Sequence, residues 1–324
     1  MAERSSRTAA EMGEFPLIRA ITARFPQGPH VRVGPGDDAA VVEMPSGSVV
    51  ASVDMLVQDR HFRLDWSSAS DIGHKAAAEA LSDINAMGGV ATALLVGLGC
   101  PEDLETRWIL ELADGLAEEA AVVGASVVGG DLSAASVITL SVTVIGVCEH
   151  AVVRRSGARV GDIVAISGRQ GWAAAGFAVL ARGFRSPRVV VDAHRRPSPP
   201  YLAGAEAARL GATAMIDVSD GLLQDIAHLA AASGVAVDVD GFVLEVPDAL
   251  QTVAAAMGVD PLRFVLTGGD DYSLVATFPP DIELPDTWRP IGRVLERGEG
   301  SSEEGLVTVN RAAYPDAAGH QHFG

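Results

Sequence analysis

Lysine is almost missing from this sequence: of 24 basic residues, 23 are arginine and Lys75 stands alone. A Walker A loop requires Gly-Lys-Ser/Thr, and a protein kinase requires a strand lysine ahead of its helix Glu. Lys75 follows His74 on a helical pattern, so neither standard nucleotide apparatus is present. Cysteine is as sparse. Cys100 and Cys148 cannot form a disulfide framework or a zinc cluster, and they fit small apolar residues kept reduced in a cytoplasm. No apolar run is long enough for a membrane, since the most apolar stretch, ATALLVGLGC at 91–100, falls short of a bilayer span. The opening MAERSSRTAAEMGEF has no apolar core and does not read as a secretory signal. Positive charge is also in deficit: 42 acidic against 24 basic side chains give −18, which repels nucleic-acid phosphates. These absences point to a cytoplasmic protein with neither a membrane nor a nucleic acid as partner.

What is present is an ordinary folded composition, 48% hydrophobic and 20% charged over 324 residues, enough for two domains with separate cores. Helices are expected at Glu14–Arg24, at Asp71–Met87 with Ser70 as cap, at 105–121 and at Trp172–Ala181. Strands are expected at Ala39–Val42, Val49–Val53, 91–98, Val137–Gly146, Ile163–Ser167 and Val235–Val239. Residues 214–225, AMIDVSDGLLQD, read as a strand running into a helix. Val265–Leu266 and Leu274–Phe278 read as strand–turn–strand. The polar SPRVVVDAHRRPSPPYLAG reads as a surface connection. Strand runs broken by single helices give an α+β fold of two domains, 1–149 and 150–324.

Acidic residues recur where glycine-rich turns meet apolar strands: GPGDDAAVV (34–42), ASVDML (51–56), ALSDINAMGG (80–89), VVGGDLS (127–133), IDVSDG and LTGGDDYSL (266–274). Each has an ordinary structural explanation taken singly. Asp38 is a turn residue, Asp54 a strand end facing water, and Ser219–Asp220 a helix cap. Lys75, Glu79 and Asp83 form a solvated helical stripe. Asp217 fits such an explanation least, because Ile216 and Val218 place it in a buried strand, where an isolated carboxylate is costly. If these acids gather, each pair 4 Å apart costs about 1 kcal/mol in water and about 4 at an effective dielectric of 20. Carboxylates without His or Cys companions suit Mg2+, and magnesium held this way is usually completed by phosphates.

The ordered set GEF-x-LI (13–18), GDDAAVV, SVD-x-LV-x4-HF (52–62), LSDI-x-AMG (81–88), GGD (129–131), RSGA-x-x-GD (155–162), IDVSDGL (216–222), TGGDDY (267–272) and the terminal HF resembles the thiamine-monophosphate kinase family. That family shares a superfamily with aminoimidazole ribonucleotide synthetase, selenophosphate synthetase and a hydrogenase maturation factor. The resemblance implies two α/β-sandwich domains of the aminoimidazole ribonucleotide synthetase type. The N-terminal one would bind ATP and magnesium and form a homodimer interface, and the C-terminal one would complete the phosphate and substrate site. It also implies phosphorylation of thiamine phosphate to thiamine diphosphate by ATP with several Mg2+ ions.

Residue by residue, the resemblance makes Asp38, Ser52, Val53, Asp54, Asp83, Asp131, Asp217 and Asp220 metal ligands, with Asp131, Asp217 and Asp220 central to catalysis. Gly130, Asp131, Arg155 and Ser219 would contact ATP, and His61, Asp270 and His320 the substrate. Val53 replaces the family's frequent Thr, leaving only its carbonyl as a ligand. Asp270 replaces Glu, shortening the reach by one methylene. His320 stands where Tyr or Trp is frequent, with Phe323 as the alternative ring. Two rival readings are another synthetase of the superfamily and a non-catalytic nucleotide-binding dimer. The former lacks support in a reactive cysteine, as none precedes Cys100 and the chain ends HQHFG.

Overall fold

Thr139, Ser141 and Thr143 alternate with the fully buried Leu140, Val142 and Val144, so one strand shows its two environments along its length. The computed structural model to which this strand belongs describes residues 7–35, 40–44, 49–298 and 306–315. Asp38, His320 and Phe323 lie outside them. The chain divides into one unit of residues 1–84 and 90–148 and a second of 85–89 and 149–324.

The first unit runs α1 (Ala9–Met12), α2 (Glu14–Thr22), β1 (Val31–Val33), β2 (Val41–Val42), β3 (Val50–Val57), α3 (Ala69–Ala86), β4 (Val90–Cys100), α4 (Thr106–Val122), β5 (Ser126–Ala134) and β6 (Thr139–Val147). β1 and β2 form a small pair, and the main sheet has the order β3-β6-β4-β5. Ser68, not Ser70, starts α3: its hydroxyl accepts the Asp71 N–H at 3.2 Å while Asp71 Oδ2 accepts the Ser68 N–H at 3.0 Å. α3 crosses α4 at Gly73 and Gly115. A Cβ on Gly73 would lie 2.1 Å from the Leu112 oxygen, and one on Gly115 2.1 Å from the Ser70 oxygen, so the crossing requires both glycines.

Cross-strand register divides the sheet into two faces. Ser52, Val144, Leu94 and Val127 share one row, and Asp54, Val142, Val96 and Gly130 another; their apolar members are buried. The intervening rows, Val53–Thr143–Leu95–Gly129 and Met55–Ser141–Gly97–Asp131, lie on the other face, where Val53 and Met55 are each 57% exposed.

The second unit runs β7 (Ile163–Ser167), α5 (Trp172–Ala181), α6 (Arg188–Arg195), α7 (Ala203–Leu210), β8 (Ala214–Val218), α8 (Leu222–Ser233), β9 (Ala236–Val239), α9 (Asp248–Met257), α10 (Leu262–Thr267), β10 (Ser273–Phe278), β11 (Arg289–Leu295) and β12 (Val307–Val309). Its sheet has the order β12-β9-β11-β7-β10-β8, antiparallel except for β12 on β9. Ile216 and Val275 pack with Leu222 and Ile226 of α8, while Met215, Leu274 and Ala276 pack with Ala203 and Ala207 of α7. Burial on both faces explains why AMIDV shows no alternation.

Two expectations change here. The presumed surface connection contains α6, whose Val190, Val191, Ala193 and His194 are buried, with His194 edge-on to Phe177 of α5 at 5.8 Å. Arginines and prolines around an eight-residue helix conceal its apolar side. Val265–Leu266 belong to α10 rather than a strand, because so short an apolar run carries no readable period.

Candidate active site

In the first unit, β3 and α3 bring two of the expected ligands into contact and place a third on the same strand face. The Ser52 hydroxyl donates to Asp83 Oδ2 in a very close contact, and Asp54 lies two residues further on the same face of β3. Lys75 is only 4% exposed, with its Nζ 3.8 Å from Glu79. The Lys75–Glu79–Asp83 stripe therefore faces inward and is not the solvated row that its spacing allowed. Val53 points to the opposite face, so its side chain is not among these oxygens.

Asp131 lies elsewhere. The GGD motif sits inside β5 rather than at a turn. Leu94 pairs with Val127 but Leu95 with Gly129, so Val128 is one extra residue. Such a bulge reverses the phase of every residue beyond it. Asp131 thus falls in the Met55 row, exposed, with the Ser133 hydroxyl donating to it at 3.0 Å. β5 is three strands from β3, about 14 Å at the usual strand spacing, so Asp131 and Asp54 of one chain do not share an ion. His61 is held by the Val57 N–H, which donates to Nδ1 at 2.9 Å.

In the second unit, Asp217 is 4% exposed near the end of β8, which stops at Val218 and leaves Ser219 and Asp220 in the following bend. Neither caps α8. Asp225, reaching back from the helix's first turn, accepts the N–H groups of Asp220 and Gly221 at 3.0 Å each. Burial drives the Asp225 carboxyl up to about 7 against these two donors, with Asp217 and Asp220 adding to the rise. Gln224 donates to Asp220 at 3.2 Å. Ligand atoms of Asp220, Asp225 and His228 lie within 4.8 Å of one another. The sequence reading overlooked Asp225 and His228; their i, i+3 spacing in DGLLQDIAH was the available signal.

The TGGDDY loop is pressed onto this turn. Asp270 N–H donates to the Ser219 oxygen at 2.9 Å and Tyr272 N–H to the Val218 oxygen at 3.1 Å. A Cβ on Gly269 would lie 2.1 Å from the Ser219 oxygen. Asp270 and Tyr272 have φ of 65° and 53°, a conformation that costs non-glycine residues about 1–2 kcal/mol each. Asp271 between them is 5% exposed and accepts the Ala173 N–H at 3.0 Å. Its carboxyl group thus occupies the start of α5, just after the turn at 168–172, and takes up an N–H of the first helical turn. Arg155 is exposed, and its carbonyl accepts the Ser233 hydroxyl at 3.0 Å.

The donors suit a hard cation: Ser52, Asp54, Asp83, Asp131 and Asp217 offer only oxygen, and His228 alone adds a nitrogen, beside Asp220. Residues 36–148 match the model of AIR synthase related protein, N-terminal domain, and residues 159–317 that of AIR synthase related protein, C-terminal domain. The chain is 45% identical over 321 residues to a thiamine-monophosphate kinase of Mycobacterium tuberculosis, covering 98% of this chain and 94% of the relative. A solved thiamine-monophosphate kinase from Stenotrophomonas maltophilia superposes with a TM-score of 0.80 at 31% identity, covering 93% of this chain and 98% of that one. A solved complex, AaThiL with AMPPCP and TMP, superposes with a TM-score of 0.79 at 31% identity, covering 98% of this chain and all of its own.

Proposed function

We infer the function from one premise: this chain belongs to the thiamine-monophosphate kinases of the AIR synthase related proteins. It is an enzyme that phosphorylates thiamine phosphate with ATP. The observation that carries this is kinship along almost the whole chain, together with the AMPPCP and TMP held by a relative of the same fold.

The chemistry explains why no nucleophile–base pair is needed. A phosphate monoester with a second pKa near 6 is mostly dianionic at neutral pH, so its oxygen is already a nucleophile. What opposes the reaction is repulsion between two polyanions, and catalysis reduces to in-line placement and charge neutralisation. Magnesium supplies that neutralisation when bound. Ser52, Asp54 and Asp83 form one oxygen group for it, and Asp217 with Asp220 another; Asp38 and the Val53 carbonyl belong to the proposed set, as does Asp131. Gly130, Asp131, Arg155 and Ser219 hold ATP, while His61, Asp270 and His320 hold thiamine phosphate. Transfer is direct, without a phosphoenzyme, and the enzyme works in the cytoplasm.

The active form is a homodimer. Support comes from the open face of the first unit's sheet, where Val53, Met55 and Leu95 are exposed. Asp131 lies on that same face, so a second copy covering it would meet the Asp131 that one chain cannot bring to Asp54.

ADP release in the presence of Mg2+ and ATP is the test. Thiamine phosphate should stimulate it strongly, and neither thiamine nor aminoimidazole precursors should. ATP binding without ADP formation, whatever the acceptor, would leave a nucleotide-binding dimer instead.

A further inference from the structure

We propose that Asp271, seconded by Gln170, is a positioning residue for the substrate contact Asp270; the inference rests on the functional reading above. The loop between α10 and β10 is gripped at three points by one stretch of chain. Gln170 Nε2 donates to the Gly268 oxygen at 2.7 Å, Ala173 N–H donates to Asp271 Oδ1 at 3.0 Å, and the Ser273 hydroxyl donates to Gln170 Oε1 at 2.8 Å. Gln170 and Asp271 are each 5% exposed and Ser273 is fully buried, so these bonds do not compete with water. On its other side the loop is bonded through Asp270 N–H and Tyr272 N–H to the Ser219 and Val218 carbonyls.

The grip works against the backbone's own preference. Asp270 and Tyr272 flank Asp271, and both adopt left-handed φ without being glycine. Strain of this kind persists only where the surroundings over-determine the conformation. Here the surroundings are Asp271 and Gln170 on one side and the end of β8 on the other. There is no slack in the packing: a Cβ on Gly268 would meet the Phe264 oxygen at 2.3 Å and Ala174 Cβ at 2.5 Å. If the tie to α5 is lost, Asp270 can relax toward ordinary φ, and the direction in which its side chain leaves the backbone changes with it. Asp271 Oδ2 is buried without a hydrogen-bond partner among the described residues. A carboxyl retained at that cost is better explained by what it holds than by net stabilisation.

The test is steady-state kinetics on the full chain for Asp271→Ala, Asp271→Asn and Gln170→Met, varying thiamine phosphate and ATP separately. Asp271→Ala and Gln170→Met should each raise KM for thiamine phosphate about tenfold, with KM for ATP changed less than about twofold. Asp271→Asn, whose Oδ1 still accepts the Ala173 N–H, should recover most of the loss. A purely structural role would lower kcat through the folded fraction and leave both KM values in place. Unchanged KM for thiamine phosphate in folded Asp271→Ala, or an equal rise in both KM values, overturns the inference. If Asp271→Ala fails to fold, Gln170→Met decides by the same split. An unaltered chain that forms no ADP with thiamine phosphate overturns the functional reading first, and this inference with it.

Discussion

At the residue scale, the acids separate into those whose bonds hold the fold and those whose bonds do not. Asp225 and Asp271 are buried and accept backbone N–H groups, whereas the Asp220 side chain accepts only from Gln224 among the hydrogen bonds described. Asp220→Asn should therefore lower turnover by about 100-fold or more with little change in melting temperature; near-normal turnover at saturating Mg2+ would remove it from the catalytic set. Asp271 makes a prediction about pH. Burial raises its carboxyl from 3.8 to about 7 despite the Ala173 and Gly171 N–H groups and Arg169. The folded state then binds the proton more tightly than the unfolded one. This stabilisation is fully present below about pH 4 and is lost as pH rises through about 7, a change of a few kcal/mol at most. Asp271→Asn cannot titrate, so its melting temperature relative to the unaltered chain should climb from pH 5 to pH 8. A constant difference would show that Asp271 does not titrate near 7 in the folded chain.

At the element scale, the helix α3 that delivers Asp83 is placed by its crossing with α4 at Gly73 and Gly115. Alanine is the better helix former by about 1 kcal/mol, which alone would make Gly115→Ala stabilising. Its Cβ would instead sit 2.1 Å from the Ser70 oxygen, a clash with backbone that only helix separation relieves. Overpacking costs about 1–3 kcal/mol or more, so steric cost wins and Gly115→Ala should destabilise by about 2 kcal/mol in urea unfolding. A rise in stability would mean the helices lie further apart. Elements with long periodic patterns were readable: β6 from its alternation, and α4 near its expected ends. α6 and α10 were not, because six to eight residues among Pro, Arg and Gly carry less pattern than their tertiary neighbours impose.

At the scale of the whole molecule, the separation of Asp131 from Asp54 makes the dimer part of the catalytic proposal. If one copy supplies Asp54 and its partner Asp131, Asp54→Asn and Asp131→Asn should each be inactive alone. Mixed and allowed to exchange subunits, they should recover about a quarter of normal activity, since half the dimers would hold one intact site of two. A mixture that stays inactive, with exchange shown by a tagged subunit, would place the complete site in one chain.

The sequence alone was sufficient for chemistry and kinship. Acidic side chains with few cysteines, a lone lysine and an ordered series of Gly-Asp motifs narrowed the reaction, because residue type and spacing are written in the sequence itself. Which side of a sheet each acid faces was settled only by the tertiary structure. The single extra residue at Val128 turns Asp131 away from the face of Asp54, and the Ser52 contact turns Asp83 inward. A bulge changes the phase of a strand without changing its composition, and burial depends on partners distant in the chain.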